Sequence, residues 1–489
     1  METLPIRPQT LTFDPQTALR WVQGAADWVG LRFVQEATQT RAFRNAKPES
    51  QNFLLERGVQ IEVMIDGHLG YASTSDLTES GVKRATARAV QLSRKAATNK
   101  VFTFTPDLRP QAVGKYQSPR VTSPDSLTLQ EFTRFLLEAS KRLKVNDRVV
   151  SGVAEVIFTE THQHSVSSSG TDFTQDFLLW TTNFMATAQL GGETQRRSLN
   201  GPAARCIQGG AEIVDQDFLL EECEKVGHQA VELLTAENCP TGRMDLLLAP
   251  DQMLLQIHES IGHPLELDRI LGDERNYAGW SFVKPQDFGE LKYGAHLMNV
   301  SFDPSQSGEF ASYSFDDCGN PARKEYLIEK GILKRGLGSL ESQKRSGLPG
   351  VANFRSSSWN RAPIDRMANI NLEPGASSFE DMLASVEKGV YMEANSSWSI
   401  DDYRNKFQFG CEYARLIENG KLTKVVKNPN YRGITVPFWR SLKAVGTAES
   451  VGQFGSPFCG KGEPSQAIRV GHSSPPCLFS EIEIFGGGQ

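Results

Sequence analysis

The chain has 489 residues, more than one ordinary hydrophobic core supports, so the sequence predicts two or three domains. Its net charge of −6 and its scattered lysines and arginines argue against nucleic-acid binding. No run of about 18 apolar residues occurs and the first residues lack the apolar core of a signal peptide, so we expect no membrane partner. Seven cysteines without dense spacing are typical of reduced thiols, and a cytoplasmic location is expected.

Residues 1–110 predict an amino-terminal α+β domain of mixed α and β elements. Apolar side chains over 19–34 have near-helical spacing, which predicts a first helix. An alternating strand over 60–65 then turns at Asp66-Gly67 into a second strand. A further helix follows, capped by Ser75 or Asp76, with small side chains that suit close packing on a sheet. The prolines between 106 and 124 predict the boundary between this domain and the next.

Residues 111–236 predict a middle domain in which helices flank an antiparallel meander. Apolar periodicity favours helices over 127–143 and 217–234. Between them, three segments alternate in polarity and are rich in β-branched and aromatic residues, which is typical of strands: 149–159, 164–168 and 173–189.

Residues 237–489 predict a strand-rich carboxy-terminal domain that contains one important helix. A buried strand over 244–249 leads into a helix that starts at Pro250-Asp251. Beyond about residue 293, glycine, proline, asparagine and serine separate short predicted strands. Together the three regions predict an α+β fold.

The predicted helix ends in a motif that combines metal ligands with a carboxylate, running from His258 through Glu259 to His263. Two imidazoles and a carboxylate so close together are typical of metal-assisted hydrolysis. The histidines are five residues apart, which leaves their side chains about 140° apart on an ideal α-helix. A π-bulge restores their alignment. Pro264 is also expected to move His263 out of the α region and end the helix.

A catalytic zinc site normally has three protein ligands, so a third ligand is needed from elsewhere. Cys459 is the strongest candidate because it lies in a loop rich in glycine and proline, where Lys461 would favour its thiolate. Cys477 and His472 are weaker candidates. Glu266 and Asp268 are possible carboxylate ligands. The residues alone leave this choice open.

With these residues the chain resembles the TldD/PmbA family of zinc-dependent peptidases, and specifically its metal-retaining TldD-type subunit. The resemblance covers most of the chain and is strongest after residue 240. Beyond the histidine motif with Glu266 and Asp268, the matching segments are 315–321, 366–369, 372–375, 416–421 and 457–462.

The resemblance implies that His258, His263 and Cys459 bind Zn²⁺ and that Glu259 is the catalytic carboxylate. It also implies unfolded or leader peptides as substrates, and assembly with a metal-free PmbA-type paralogue as a heterodimer, with a homodimer as the alternative. Two positions depart from the family pattern. Pro264-Leu265 follows the second histidine, where glycine is common, and Cys318 occupies a commonly acidic position.

The leading hypothesis is a zinc-dependent peptidase in which Glu259 acts as general base on a metal-activated water. Glu266 and Asp268 are either outer hydrogen-bond acceptors for the histidines or ordinary surface charges. One alternative is a non-catalytic or chaperone-like subunit in which the metal is structural or absent. Another is hydrolysis of an amide in a small metabolite. The substrate-binding residues are unknown, although exposed strand edges favour peptide addition as an extra strand.

Overall fold

The structure, a computed structural model, describes residues 13–99 and 102–487. The predicted α+β class is confirmed. The helices are α1 Pro15–Arg20, α2 Glu79–Thr98, α3 Leu129–Arg142, α4 Gln216–Leu233, α5 Pro250–Ile257, α6 Leu267–Leu271, α7 Arg275–Ala278, α8 Leu340–Ser346, α9 Phe379–Ala384 and α10 Thr435–Arg440.

The strands of the first half are β1 Trp28–Arg44, β2 Lys47–Ile65, β3 His68–Thr74, β4 Val113–Gln117, β5 Val149–Ser167, β6 Asp172–Leu190, β7 Glu193–Ser198 and β8 Arg205–Gln208. The strands of the second half are β9 Glu237–Asn238, β10 Gly242–Leu248, β11 Val300–Phe302, β12 Glu325–Glu329, β13 Ile332–Leu333, β14 Phe354–Arg355, β15 Ile364–Asp365, β16 Ile370–Leu372, β17 Lys388–Ile400, β18 Lys406–Glu418, β19 Lys421–Lys427, β20 Pro429–Ile434, β21 Leu442–Val445, β22 Gly452–Lys461, β23 Gln466–Ser474 and β24 Cys477–Gly486.

The first eight strands form one sheet in the order β3-β2-β1-β5-β6-β4, with β7 and β8 paired to β6. Strands β1 and β5 are antiparallel neighbours over most of their length. Helix α2 packs on β2 and β3, whereas α3 and α4 pack near β5 and β6. The predicted 1–110 and 111–236 regions therefore share a sheet, and their division into separate domains stays a prediction.

The helix predicted over 19–34 is wrong. Helix α1 ends at Arg20 and β1 begins at Trp28, pairing with β2 on one side and β5 on the other. The first seven residues of β1 are all buried, so apolar side chains occupy both of its faces. Such a strand does not alternate between apolar and polar residues, so the spacing of its apolar residues does not distinguish it from a helix.

The turn predicted at Asp66-Gly67 is confirmed. Both residues have positive φ, 50° and 75°, as a type I′ hairpin turn requires, and Ile65 pairs with His68 across it. The helices predicted over 127–143 and 217–234 correspond closely to α3 and α4.

The second large sheet has the order β17-β10-β24-β20-β18-β19-β9, with β21 paired to β24. Strands β17 and β18 have 13 residues each, so the prediction of only short strands beyond residue 293 is wrong. The predicted strand and helix around Pro250 are present as β10 and α5. Every residue of α5 after Pro250 is buried, as expected for a helix enclosed by a large core.

The two halves contact each other through charged side chains and enclose a cavity of about 150 Å³. Arg469 on β23 forms an ion pair with Glu36 on β1 at 2.7 Å, and Arg32 lies 3.6 Å from Asp317. These four side chains line the cavity together with Ile468. One wall of the cavity therefore belongs to the amino-terminal sheet.

Candidate metal centre

Helix α5 continues into a π-helical turn over His258–Gly262, followed by a 3-10 turn over His263–Leu265. The π turn is the distortion that the five-residue histidine spacing predicts. Gly262 allows it to pack tightly, because a Cβ at this position would lie 2.1 Å from the Met367 sulfur. The extra residue of the motif is thus accommodated within a continuous helical segment.

The expected effect of Pro264 on its neighbour is wrong. His263 keeps α-region angles, φ −58° and ψ −41°, although a proline follows it. The chain leaves helical geometry three residues later, where Glu266 has a ψ of 118°. The π turn rotates the second histidine toward the first by itself, so no break at His263 is needed.

Three side chains form a buried cluster of potential metal ligands: His258, His263 and Cys459. One ligand atom from each lies within 4.8 Å of the other two. The Cys459 sulfur is 3.9 Å from His263 Nε2 and reaches the helix from strand β22. Residues almost two hundred positions apart in the chain thereby meet at one point.

Hydrogen bonds engage one ring nitrogen of each histidine in the cluster. His472 Nδ1 lies 3.1 Å from the Ile370 carbonyl oxygen, which only accepts, so His472 Nδ1 donates and its Nε2 is an acceptor. His258 Nδ1 donates to this acceptor at 2.9 Å. His263 Nδ1 donates to Glu266 at 3.0 Å. These contacts occupy Nδ1 of both His258 and His263, so Nε2 is the ring nitrogen of each that remains available as a metal ligand.

The two acids that follow the motif are buried rather than exposed, and they have different partners. Glu266 accepts from His263, whereas Asp268 contacts Lys461 at 2.6 Å and no histidine. Lys461 also lies 3.3 Å from Glu266, with no exposed surface. Burial raises the pKa of Glu266, but Lys461 and His263 outweigh burial and lower it, so this carboxylate stays charged.

The cation that favours a Cys459 thiolate is Arg366, not Lys461 as predicted. Burial raises the pKa of the Cys459 thiol, but Arg366 and His263 outweigh burial and lower it. Arg366 is fully buried and donates to the Cys459 carbonyl oxygen. Lys461 is instead committed to its two carboxylates. The thiol is thus held where its ionised form is favoured.

Glu259 lies beside the ligand cluster without belonging to it. Its carboxylate forms an ion pair with Arg404 at 2.6 Å, and its side chain is 7% exposed. Burial raises the pKa of Glu259, but His263, His258 and Arg404 outweigh burial and lower it. The carboxylate is therefore ionised and ready to accept a proton.

Sequence reasoning missed Arg404 and undervalued His472. Arg404 lies in the turn between β17 and β18, and no local pattern connects it to Glu259. His472 was only a weak ligand candidate, yet its contact with His258 gives it an orienting position. The other candidate, Cys477, donates to Pro475 and lies outside the cluster, and Cys318 donates to Asp316.

The donor set fits zinc. Two imidazoles and a thiolate are ligands that zinc commonly takes in proteins. At tetrahedral angles, ordinary bond lengths separate a sulfur and a nitrogen ligand by about 3.6 Å, and the observed separation between Cys459 and His263 is 3.9 Å. Nδ1 of His258 and Nδ1 of His263 each have a hydrogen-bond acceptor, as the second ring nitrogen of a metal-binding histidine usually does.

The fold and this side-chain set define a metallopeptidase-type protein. Comparisons agree with that class: residues 241–486 match the model described as "PmbA/TldA metallopeptidase C-terminal domain", and residues 29–93 match "PmbA/TldA metallopeptidase domain 1". The chain belongs to the TldD/PmbA family.

Curated relatives carry metalloprotease names at low identity. A "Metalloprotease" from Methanothermobacter thermautotrophicus is 26% identical over 95% of this chain and 97% of its own length. A "Metalloprotease TldD homolog" from Haemophilus influenzae is 23% identical over 94% of this chain and 93% of its own. A "Zinc metalloprotease TldD homolog" from Saccharolobus solfataricus is 23% identical over 56% of this chain and 58% of its own. These names support a metallopeptidase-family role.

Solved structures with the same fold cover nearly the whole chain. TldE from Thermococcus kodakarensis has a TM-score of 0.75 at 16% identity, covering 96% of this chain and 100% of its own. A putative modulator of a DNA gyrase from Thermotoga maritima gives the same score and identity, covering 96% and 99%. At this identity the likeness concerns the fold alone. Among the described helices, none is long and apolar enough to cross a bilayer.

Proposed function

We propose that this chain is a zinc-dependent peptidase that hydrolyses peptide bonds of unfolded or leader polypeptides. His258, His263 and Cys459 are the zinc ligands and Glu259 is the general base. The observation that carries the proposal is the convergence of three ligand atoms within 4.8 Å beside an ionised carboxylate outside the cluster. A purely structural metal site has no use for such a carboxylate.

The surrounding residues act on the ligands rather than on the substrate. His472 and Glu266 engage Nδ1 of the two histidines, which leaves Nε2 of each for the metal, and Arg366 favours the thiolate. A zinc ion held there would acidify a water molecule and polarise the scissile carbonyl.

Glu259 performs the proton transfers. Its carboxylate accepts a proton from the attacking water and returns that proton to the leaving nitrogen, so one side chain serves as base and then as acid. The low pKa of Glu259 keeps it unprotonated at neutral pH, which the first transfer requires. As the water oxygen bonds to the carbonyl carbon and the C–N bond breaks, the products are a carboxylic acid and an amine.

The proposal extends to the assembly and to the extent of the peptidase unit. We expect a TldD-type subunit that pairs with a metal-free PmbA-type paralogue or with a second copy of itself. The whole-chain likeness to a TldE fold supports a common architecture for both subunits. We assign the metallopeptidase domain to residues 237–489, in keeping with the family match that starts at residue 241.

The test compares zinc content and cleavage of an unfolded peptide, with and without a metal-free paralogue from the same source. Glu259→Gln should keep its zinc and lose about 10²- to 10⁴-fold in turnover, the usual worth of a general base. Cys459→Ala should lose zinc, whereas the buried control Cys477→Ala should keep it. Normal cleavage by Glu259→Gln would refute the mechanism, whereas a wild type that cleaves no peptide with or without the paralogue would favour a non-catalytic subunit.

A further inference from the structure

We propose that Arg404 is a catalytic residue of this site, which donates a hydrogen bond to the scissile carbonyl oxygen as that oxygen gains negative charge. The inference rests on the proposed peptidase function and adds the group that stabilises the developing charge. Arg404 lies 145 residues from Glu259 in the chain, at the end of the turn between β17 and β18.

Arg404 contacts the proposed general base directly and is the more exposed side chain of the two. Its Nη1 is 2.6 Å from Glu259 Oε2. Its side chain is 15% exposed, about twice the exposure of the Glu259 side chain at 7%. Arg404 is therefore the more accessible partner of this ion pair and the one that a bound peptide can more readily reach.

Arg404 has donors left over after its contact with Glu259. A guanidinium carries five N–H groups in one plane. Its Nε is buried without a hydrogen-bond partner, and Nη2 makes no hydrogen bond within residues 13–99 and 102–487. Nη2 is therefore available to donate to an oxygen atom supplied by a ligand.

The backbone at Arg404 supports a functional reason for its placement. Its φ is 61°, in the left-handed region that an arginine seldom occupies. Strained residues of this kind cluster at active sites, where the surrounding structure holds them. Three hydrogen bonds from other segments hold this turn: Trp280 N to Asp402 O at 2.9 Å, Phe282 N to Tyr403 O at 2.9 Å, and Thr435 Oγ1 to Arg404 O at 2.9 Å.

Arg404 acts on the carbonyl oxygen during the first bond-forming step. The water oxygen bonds to the carbonyl carbon, and the π electron pair of the carbonyl moves onto its oxygen, where Arg404 stabilises the charge. Glu259 takes the water proton and passes it to the leaving nitrogen. When the C–N bond breaks, the electron pair returns to form the new carbonyl, and Arg404 ends the cycle unchanged.

The experiment uses the zinc-loaded full-length chain with Arg404→Gly, Arg404→Lys and the control Lys406→Ala. Arg404→Gly removes the guanidinium and also relieves the left-handed strain, so loss of folding is not expected. Lys406→Ala removes an exposed cation from the start of β18. For each variant we would measure zinc content, kcat and KM on an unfolded peptide, and the affinity of a phosphinic peptide that mimics the tetrahedral oxyanion.

The expected result is a fall in kcat of about 10²- to 10³-fold for Arg404→Gly, with KM and zinc content unchanged. Its affinity for the phosphinic peptide should fall with kcat, Arg404→Lys should retain part of both, and Lys406→Ala should match the wild type. A raised KM at normal kcat for Arg404→Gly would overturn the proposal. If that KM difference from the wild type disappears for a peptide with an amidated carboxy terminus, Arg404 is a carboxylate anchor instead. Normal kinetics in Arg404→Gly would also overturn it. Wild type without zinc or cleavage would instead refute the proposed function.

Discussion

Replacing Lys461 with methionine tests the buried ion cluster beside the candidate metal centre. The Lys461 ammonium lies 2.6 Å from Asp268, 2.6 Å from the Asp365 carbonyl oxygen and 3.3 Å from Glu266. None of its side chain is exposed. Methionine fills a similar volume without charge, so the substitution leaves two buried carboxylates without their shared cation.

The expected loss of stability is large because buried charges are costly without a partner. Breaking a buried ion pair by removing one partner costs about 3–5 kcal/mol. Each kcal/mol lowers Tm by roughly 2–4 °C in domains of about 150–250 residues. Lys461→Met should therefore lower Tm by about 6–20 °C. The exposed control Lys443→Met, whose nitrogen is 3.4 Å from Asp245, should cost about 1 kcal/mol or less.

The loss should depend on pH with a definite sign. Burial raises the pKa of Asp268 above its unfolded value even with Lys461 present, and removing the cation raises it further. A carboxyl whose folded pKa is raised takes up a proton more readily in the folded state. The loss of unfolding free energy in Lys461→Met is therefore greatest above the folded pKa of Asp268, and it becomes smaller as the pH falls through that pKa.

The assay is thermal unfolding of metal-free protein in chelator, at one scan rate, between pH 5 and 8. Adding Asp268→Asn to Lys461→Met should restore much of the lost Tm, because it removes one stranded charge. A Tm for Lys461→Met equal to that of Lys443→Met would refute the account of the cluster. So would a double variant less stable than Lys461→Met, since the two changes would then not share a cause.

Further outcomes concern the π turn and the histidine contacts. Gly262→Ala should lose about 1–3 kcal/mol of stability through overpacking against Met367, together with zinc affinity, and Met367→Ala should restore part of both in a zinc titration. His472→Gln should bind zinc about 10- to 100-fold more weakly because the orientation of His258 is lost. Burial holds the pKa of His472 well below its ordinary value, so metal-free wild type should lose stability as pH falls through about 6.5, and His472→Gln should lose less. An unchanged pH slope in that variant would contradict this assignment.

The parts of the centre that sequence could predict are local in origin. The five-residue spacing of His258 and His263 determines an angle around a helix, and a π turn corrects that angle. The hairpin at Asp66-Gly67 follows from the left-handed conformations that this turn type needs. In both cases neighbouring residues contain the geometric information.

The remaining features depend on long-range contacts that no local pattern contains. Arg404 meets Glu259 only because β17 and β18 are long and their turn folds against other segments. His472 reaches His258 because β23 lies beside β16, where it pairs with the Ile370 carbonyl. The helix wrongly predicted over 19–34 has the same cause, because distant parts of the chain cover both faces of β1.

The hairpin of β22 and β23 carries both the thiol and part of a wall that is shared with the amino-terminal sheet. Cys459 is the register partner of Ile468, which lines the cavity, and the next residue, Arg469, pairs with Glu36, 433 positions earlier. Substitutions in β1 can reshape that cavity without touching a ligand. The amino-terminal half of the chain can therefore change the shape of this cavity while the candidate ligand cluster, which lies in the other half, stays the same.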